Sequence, residues 1–252
     1  MERVQALRDN IDELLSLSKP LKNQEVRPTS ILILLVAAYR RSHDTLLAIS
    51  KLSDDKSLSS SMFILVRTLL EDVVNVEYML AGDKDEEAGK FAAFINIQKY
   101  DDVSFLKEVD GLDADLEVYV KQVETEYEKY KPYFLDRRGR VFKSWNNKLA
   151  GQMIRELKTA KQAFISQEVL KWYARVYLDG NRKAHFNPSD ILPYLYTESL
   201  NRQNDDHLRE GLESALHLFS TLTIRYVDEL EMTTGISSYR KLATRAKELG
   251  WG

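Results

Sequence analysis

The chain has 252 residues, 44% hydrophobic and 30% charged, with 10 glycines and 5 prolines. That is apolar material for a substantial core, with too few breakers for a β-sandwich, a collagen or a low-complexity coil. The absence of cysteine excludes a disulfide framework, a thiol nucleophile, an iron–sulfur cluster and any zinc site built on sulfur. The net charge of −3 conceals an asymmetry. Acids dominate from Ala81 to Asp136 and bases from Arg137 to Lys183, which marks either a basic surface for nucleic acid or two segments that neutralise each other. The longest apolar run, Ile31 to Ala38, is far short of the roughly 20 residues that span a bilayer. No signal-type start precedes it, so a soluble cytoplasmic chain without membrane contact is expected.

Helical periodicity governs the rest. Val4, Leu7, Ile11, Leu14 and Leu15 recur at steps of three and four and predict an amphipathic helix ending before Pro20. A second helix is expected from near Pro28 to Leu52 and a third from Leu58 to Leu80, joined by a turn at Asp54, Asp55 and Ser57. Both are apolar on nearly every side, the mark of buried helices, and together they predict a central antiparallel hairpin. Acidic amphipathic helices follow over Glu86 to Val109 and Leu112 to Lys131, then a basic loop from Pro132 to Trp145 and a helix from Asn147 to Lys161. A helix from Ser166 to Phe186 should stop before Asn187-Pro188, because the residue before proline disfavours the α conformation. A long helix over Asp205 to Met232 and a short one over Ser237 to Leu249 close the chain. No alternating strand pattern occurs. The fold class is all-α: one irregular multi-helix bundle over 1–252 with a central antiparallel helical hairpin.

Two rows of polar side chains stand out. On the third helix Arg67, Glu71, Asn75 and Tyr78 share one face of an otherwise apolar rod. A guanidinium there demands a partner, so Arg67 is expected to pair with Glu71 or with a group on a neighbouring helix, either as a structural ion pair or as the lining of a cleft. Further on, Tyr173, Tyr177, Asn181 and His185 are spaced by four, with Arg182 beside them. Histidine can exchange protons near neutral pH and arginine can hold an anion such as phosphate. A satisfied structural histidine is the alternative. His43 is a weaker candidate, and His207 and His217 are ten apart on one helix, about 15 Å by helical rise, too far to share a metal unaided.

No metal site and no cofactor motif are found: H-E-x-x-H, the Walker lysine loop, G-x-G-x-x-G and G-x-S-x-G are all missing from the sequence. The pairs Asp54-Asp55, Asp101-Asp102 and Asp205-Asp206 read as helix caps. The basic loop holds Arg137, Arg138, Arg140 and Lys143 among Tyr133, Phe134, Phe142 and Trp145. Rings mixed with cations are what single-stranded nucleic acid needs, though an ordinary loop folded over a bundle has the same composition.

The order of these motifs resembles the domain-of-unknown-function 5677 family of prokaryotic helical proteins. The resemblance runs through Tyr39 to Leu52, Arg67 with Glu71, Trp145 with Met153, and Tyr177 to His185 with Pro188-Ser189. Asn181 stands where the family has Ser. This family-like core covers about 31–189, with the C-terminal helices of 205–249 packing on it. A looser similarity to HEPN domains implies a metal-independent ribonuclease or a defence- or toxin-type effector. In that reading His185 assists attack by a 2′-hydroxyl, an arginine stabilises the phosphorus, and Arg67, Glu71, Tyr177, Asn181 and Arg182 complete the site. The HEPN spacing R-x(4–6)-H is not met, since Arg182 lies three before His185 and Arg175 ten before it. The rival expectation is a non-catalytic interaction or oligomerisation module with a buried polar network. RNA or another phosphate-bearing ligand, and a homo-oligomer, are the partners these readings imply.

Overall fold

The computed structural model describes residues 2–24, 30–104, 114–159, 176 and 197–251. Among them are eight α-helices and no strand beyond one isolated bridge, so the all-α expectation holds. The helices are α1 (Glu2–Lys22), α2 (Ser30–Leu52), α3 (Ser59–Ala81), α4 (Lys84–Ser104), α5 (Ala114–Tyr130), α6 (Ala150–Thr159), α7 (Thr197–Thr234) and α8 (Arg240–Trp251).

The first helix does not stop before Pro20 but runs through it to Lys22. Proline forfeits the bond to the carbonyl four residues back, yet Leu21 beyond it is fully buried. Burying that side chain outweighs one lost bond at a helix end.

The central hairpin is present and antiparallel: α2 packs on α3, with Arg41 and Ser42 against Asp72 and Leu34 and Met79 lining one cleft. Between the two helices Asp55 accepts hydrogen bonds from the Ser57 amide at 2.8 Å and hydroxyl at 2.7 Å, the turn expected there. The other two acidic pairs do not cap. Asp101 and Asp102 lie in the last turn of α4 as described, and Asp205 and Asp206 lie two turns inside α7. α4 is capped instead by Asp83, which accepts from the Glu86 amide.

α7 has 38 residues, about 57 Å at 1.5 Å each, and starts eight residues earlier than its apolar period suggests. α1, α2, α3 and α8 all pack against it. Leu208, Leu212, Phe219, Tyr226 and Leu230 form its buried stripe, meeting Tyr39, Phe63 and Val66 of the hairpin. A second, smaller cluster of Val103, Val120 and Val123 holds α4 to α5, with Tyr100 and Tyr127 stacked at 3.8 Å between centroids.

Candidate functional site

The row on α3 is real but half-buried rather than enclosed. Arg67 donates from Nε to Glu71 Oε1 at 3.0 Å, and the two side chains are 23% and 40% exposed. One turn on, Asn75 is fully engaged, its Nδ2 donating to the Glu71 carbonyl and its Oδ1 accepting from the Trp145 indole, each at 2.8 Å. Tyr78 donates to Glu156 at 2.7 Å and accepts from Lys148, which also reaches Glu156 at 2.6 Å. Trp145 is buried with its ring edge-on to Tyr78 and Phe91. Burial raises the Tyr78 phenol above its ordinary value, so it stays protonated at neutral pH. Lys148 holds Glu156 below the usual carboxylate range.

The row therefore divides. Its Asn75–Tyr78 end ties α3 to α6 and to the segment before it, while its Arg67–Glu71 end is a partly exposed ion pair within α3. Tyr173, Tyr177, Asn181, Arg182 and His185 lie outside the described residues.

The basic loop is an ordered hairpin turn. Leu135 and Val141 form an antiparallel bridge, the Phe142 amide donates to the Phe134 carbonyl at 2.8 Å, and Gly139 takes a positive φ of 72° at the tip, where glycine alone is unstrained. Asp136 organises the tip, accepting from the amides of Arg138 and Arg140 and from the Arg140 guanidinium. Those bonds, first the Arg140 amide, hold its carboxyl below the ordinary value. Of the rings around it, Phe134 and Trp145 are buried and Phe142 packs on the core. Tyr133 alone among them is open, at 76% exposure. Arg137, Arg138, Arg140 and Lys143 are all exposed to solvent, with Arg140 also paired to Asp136.

Residues 32–204 match the family of unknown function DUF5677. The chain belongs to that family. No curated protein and no solved structure matches it. The DUF5677 segment takes in α2 to α6 and thus Arg67, Glu71 and the basic turn, as well as Tyr177 to His185. α1, α8 and most of α7 fall outside it.

Sequence reading missed the most deeply buried charges of the DUF5677 segment. Asp72 accepts from Arg41 and, at 2.8 Å, from Ser42. Glu77 receives Arg225 of α7 through two bonds at 2.6 and 2.7 Å. Both carboxylates are almost fully enclosed, as is Glu229 of α7, which Lys84 meets at 2.6 Å. The signal was available: an acid on the apolar side of a buried helix requires a cation, and Asp72 and Glu77 lie there among Val73, Val74 and Val76.

His43 is buried, with Nε2 3.4 Å from the Leu15 carbonyl and its ring edge-on to Phe219. Burial, and then the nearby Lys22 charge, lower its pKa. It reads as a core histidine. His207 packs edge-on to Phe63, and His217 Nδ1 lies 3.2 Å from the Gly250 carbonyl. Among the described residues no three His, Asp or Glu side chains gather into a metal-holding group, and no helix is long and apolar enough to cross a membrane.

Proposed function

We propose that this DUF5677 protein is a cytoplasmic, HEPN-like, metal-independent ribonuclease of the defence- or toxin-effector type. The observation that supports the reading is the partly exposed Arg67–Glu71 ion pair, on a row whose Asn75 and Tyr78 are engaged by Trp145, Lys148 and Glu156. In the mechanism, His185 takes the proton of a ribose 2′-hydroxyl as its oxygen attacks the adjacent phosphorus. The P–O5′ bond breaks, and the departing 5′-oxygen takes up a proton, leaving a 2′,3′-cyclic phosphate. Arg67, or Arg182 beside His185, offsets the charge that builds on the phosphoryl oxygens, and Glu71 orients Arg67. Arg137, Arg138 and Lys143 supply phosphate contacts, with Tyr133 as a stacking surface for an unpaired base.

The test is cleavage of end-labelled RNA by the purified protein in EDTA, with melting curves on each variant. Wild type cleaves. His185→Ala abolishes cleavage with its melting temperature unchanged, and Arg67→Ala lowers the rate by about 10²–10³, the range for loss of one oxyanion-stabilising donor. A second reading, a non-catalytic interaction or oligomerisation module, draws on the pairing of Asn75 with Trp145 and of Tyr78 with Lys148 and Glu156. It takes over if no RNA is cut and His185→Ala melts earlier than wild type.

A further inference from the structure

We propose that the cleft between α2, α3 and α4 binds a small carboxylate with an apolar body. The cavity holds about 180 Å³, room for about six water molecules at roughly 30 Å³ each and below the roughly 300 Å³ at which drug-sized pockets begin. Leu34, Ala37 and Ala38 of α2, Val76 and Met79 of α3 and Phe91 of α4 form its apolar walls. These exclude a strongly hydrated ligand and favour a short aliphatic or aromatic body.

One cation, Arg41, lines the cleft together with the carboxylate it pairs with, Asp72. Arg41 gives Nε and one terminal nitrogen to the carboxylate of Asp72, which is 1% exposed, while the Arg41 side chain itself is 61% exposed. Ser42 adds a third bond to the same carboxylate. The buried acid thus fixes the plane of the guanidinium along one edge, and the second terminal nitrogen has no partner among the described residues. A planar fork held in this way suits a two-oxygen acceptor. The neutral polar side chain in the lining, the Asn75 amide, is already spent on the Glu71 carbonyl and on Trp145, so recognition of the ligand head falls to Arg41. This site stands apart from the ribonuclease reading and does not depend on it.

The test uses the methyl resonances of the five methionines in ¹³C-methyl-labelled protein, followed during titration with phenylacetate, with its neutral amide phenylacetamide, and with a tripeptide ending in phenylalanine. Phenylacetate shifts Met79 saturably while Met62, buried elsewhere on α3, stays fixed, and phenylacetamide does not shift it. Arg41→Gln weakens binding about tenfold or more, the worth of a charge-assisted hydrogen bond. Ala38→Leu, which fills the cleft and leaves the Arg41–Asp72 pair intact, removes the shift. A tripeptide that binds tighter than phenylacetate identifies the head group as a peptide C-terminus; a tripeptide that does not bind identifies a free small carboxylate. Equal shifts from the acid and the amide, a shift that survives Ala38→Leu, or no shift at all overturns the proposal.

Discussion

Three carboxylates carry much of the specificity of this bundle: Asp72, Glu77 and Glu229, each enclosed and each met by a cation from another helix. Removing one partner of such a pair strands a buried charge, which costs several times what an exposed pair is worth. His43 adds a residue that reports pH. Burial, reinforced by Lys22 and opposed by the Leu15 carbonyl and Asp44, puts its folded pKa below the ordinary 6.5 or so. Above that value both states hold the ring neutral. As pH falls through it, the unfolded chain takes up a proton that the folded chain refuses, so stability drops until the folded pKa is reached and is then constant. The loss of urea midpoint between pH 7.5 and 5.5 should therefore be larger in wild type than in His43→Gln; equal losses would place the titrating group elsewhere. Arg67 with Glu71 was legible in the sequence because partners four apart on one helix must be neighbours. Arg41 with Asp72 and Arg225 with Glu77 were not, being 31 and 148 residues apart and brought together only by packing. Of the sequence's site residues, those from Tyr177 to His185 lie outside the described structure.

At the scale of elements, hydrophobic period located every described helix, because burial of an apolar stripe is what stabilises each of them. The ends were less legible. Pro20 was passed because Leu21 is buried, and α7 begins ahead of its apolar run. The hairpin turn at Leu135–Val141 escaped notice because one bridge leaves no alternating pattern to read. The docking of α8 was also hidden. His217 Nδ1 lies close to the Gly250 carbonyl and its ring lies 4.0 Å from that of Trp251, and a Cβ on Gly250 would stand 2.5 Å from both Cβ and Oγ of Ser220. The two helices touch backbone to side chain there, with no space for a methyl group. Gly250→Ala should cost about 1–3 kcal/mol in urea denaturation, as overpacking does. Ser220→Gly combined with it should cost less than the two single changes summed, since the second change vacates the space the first one fills.

Across the whole molecule the core is unevenly distributed. The main cluster is built chiefly from α1, α2, α3, α7 and α8 and reaches α5 through Tyr127, whereas the rest of α5 is held to the end of α4 by the three-valine cluster and the Tyr100–Tyr127 stack. Opening free energy follows local burial, so in hydrogen-exchange mass spectrometry peptides from α5 and the distal half of α4 should exchange well before those of α3 and α7. Matching protection across the two groups would mean that the α4–α5 arm unfolds only with the rest.

The position of α7 has a consequence for synthesis. Its stripe is the surface on which α1, α2 and α3 close, and it emerges from the ribosome after all of them. At about 5–20 residues per second, α1 waits on the order of ten seconds or more for the helix it packs against, and the central hairpin waits nearly as long. During that interval Ile11, Leu14, Phe63 and Val66 have no finished core to enter. The core of this bundle is therefore completed only after Thr197 and the residues that follow it have been made, however early its first three helices form.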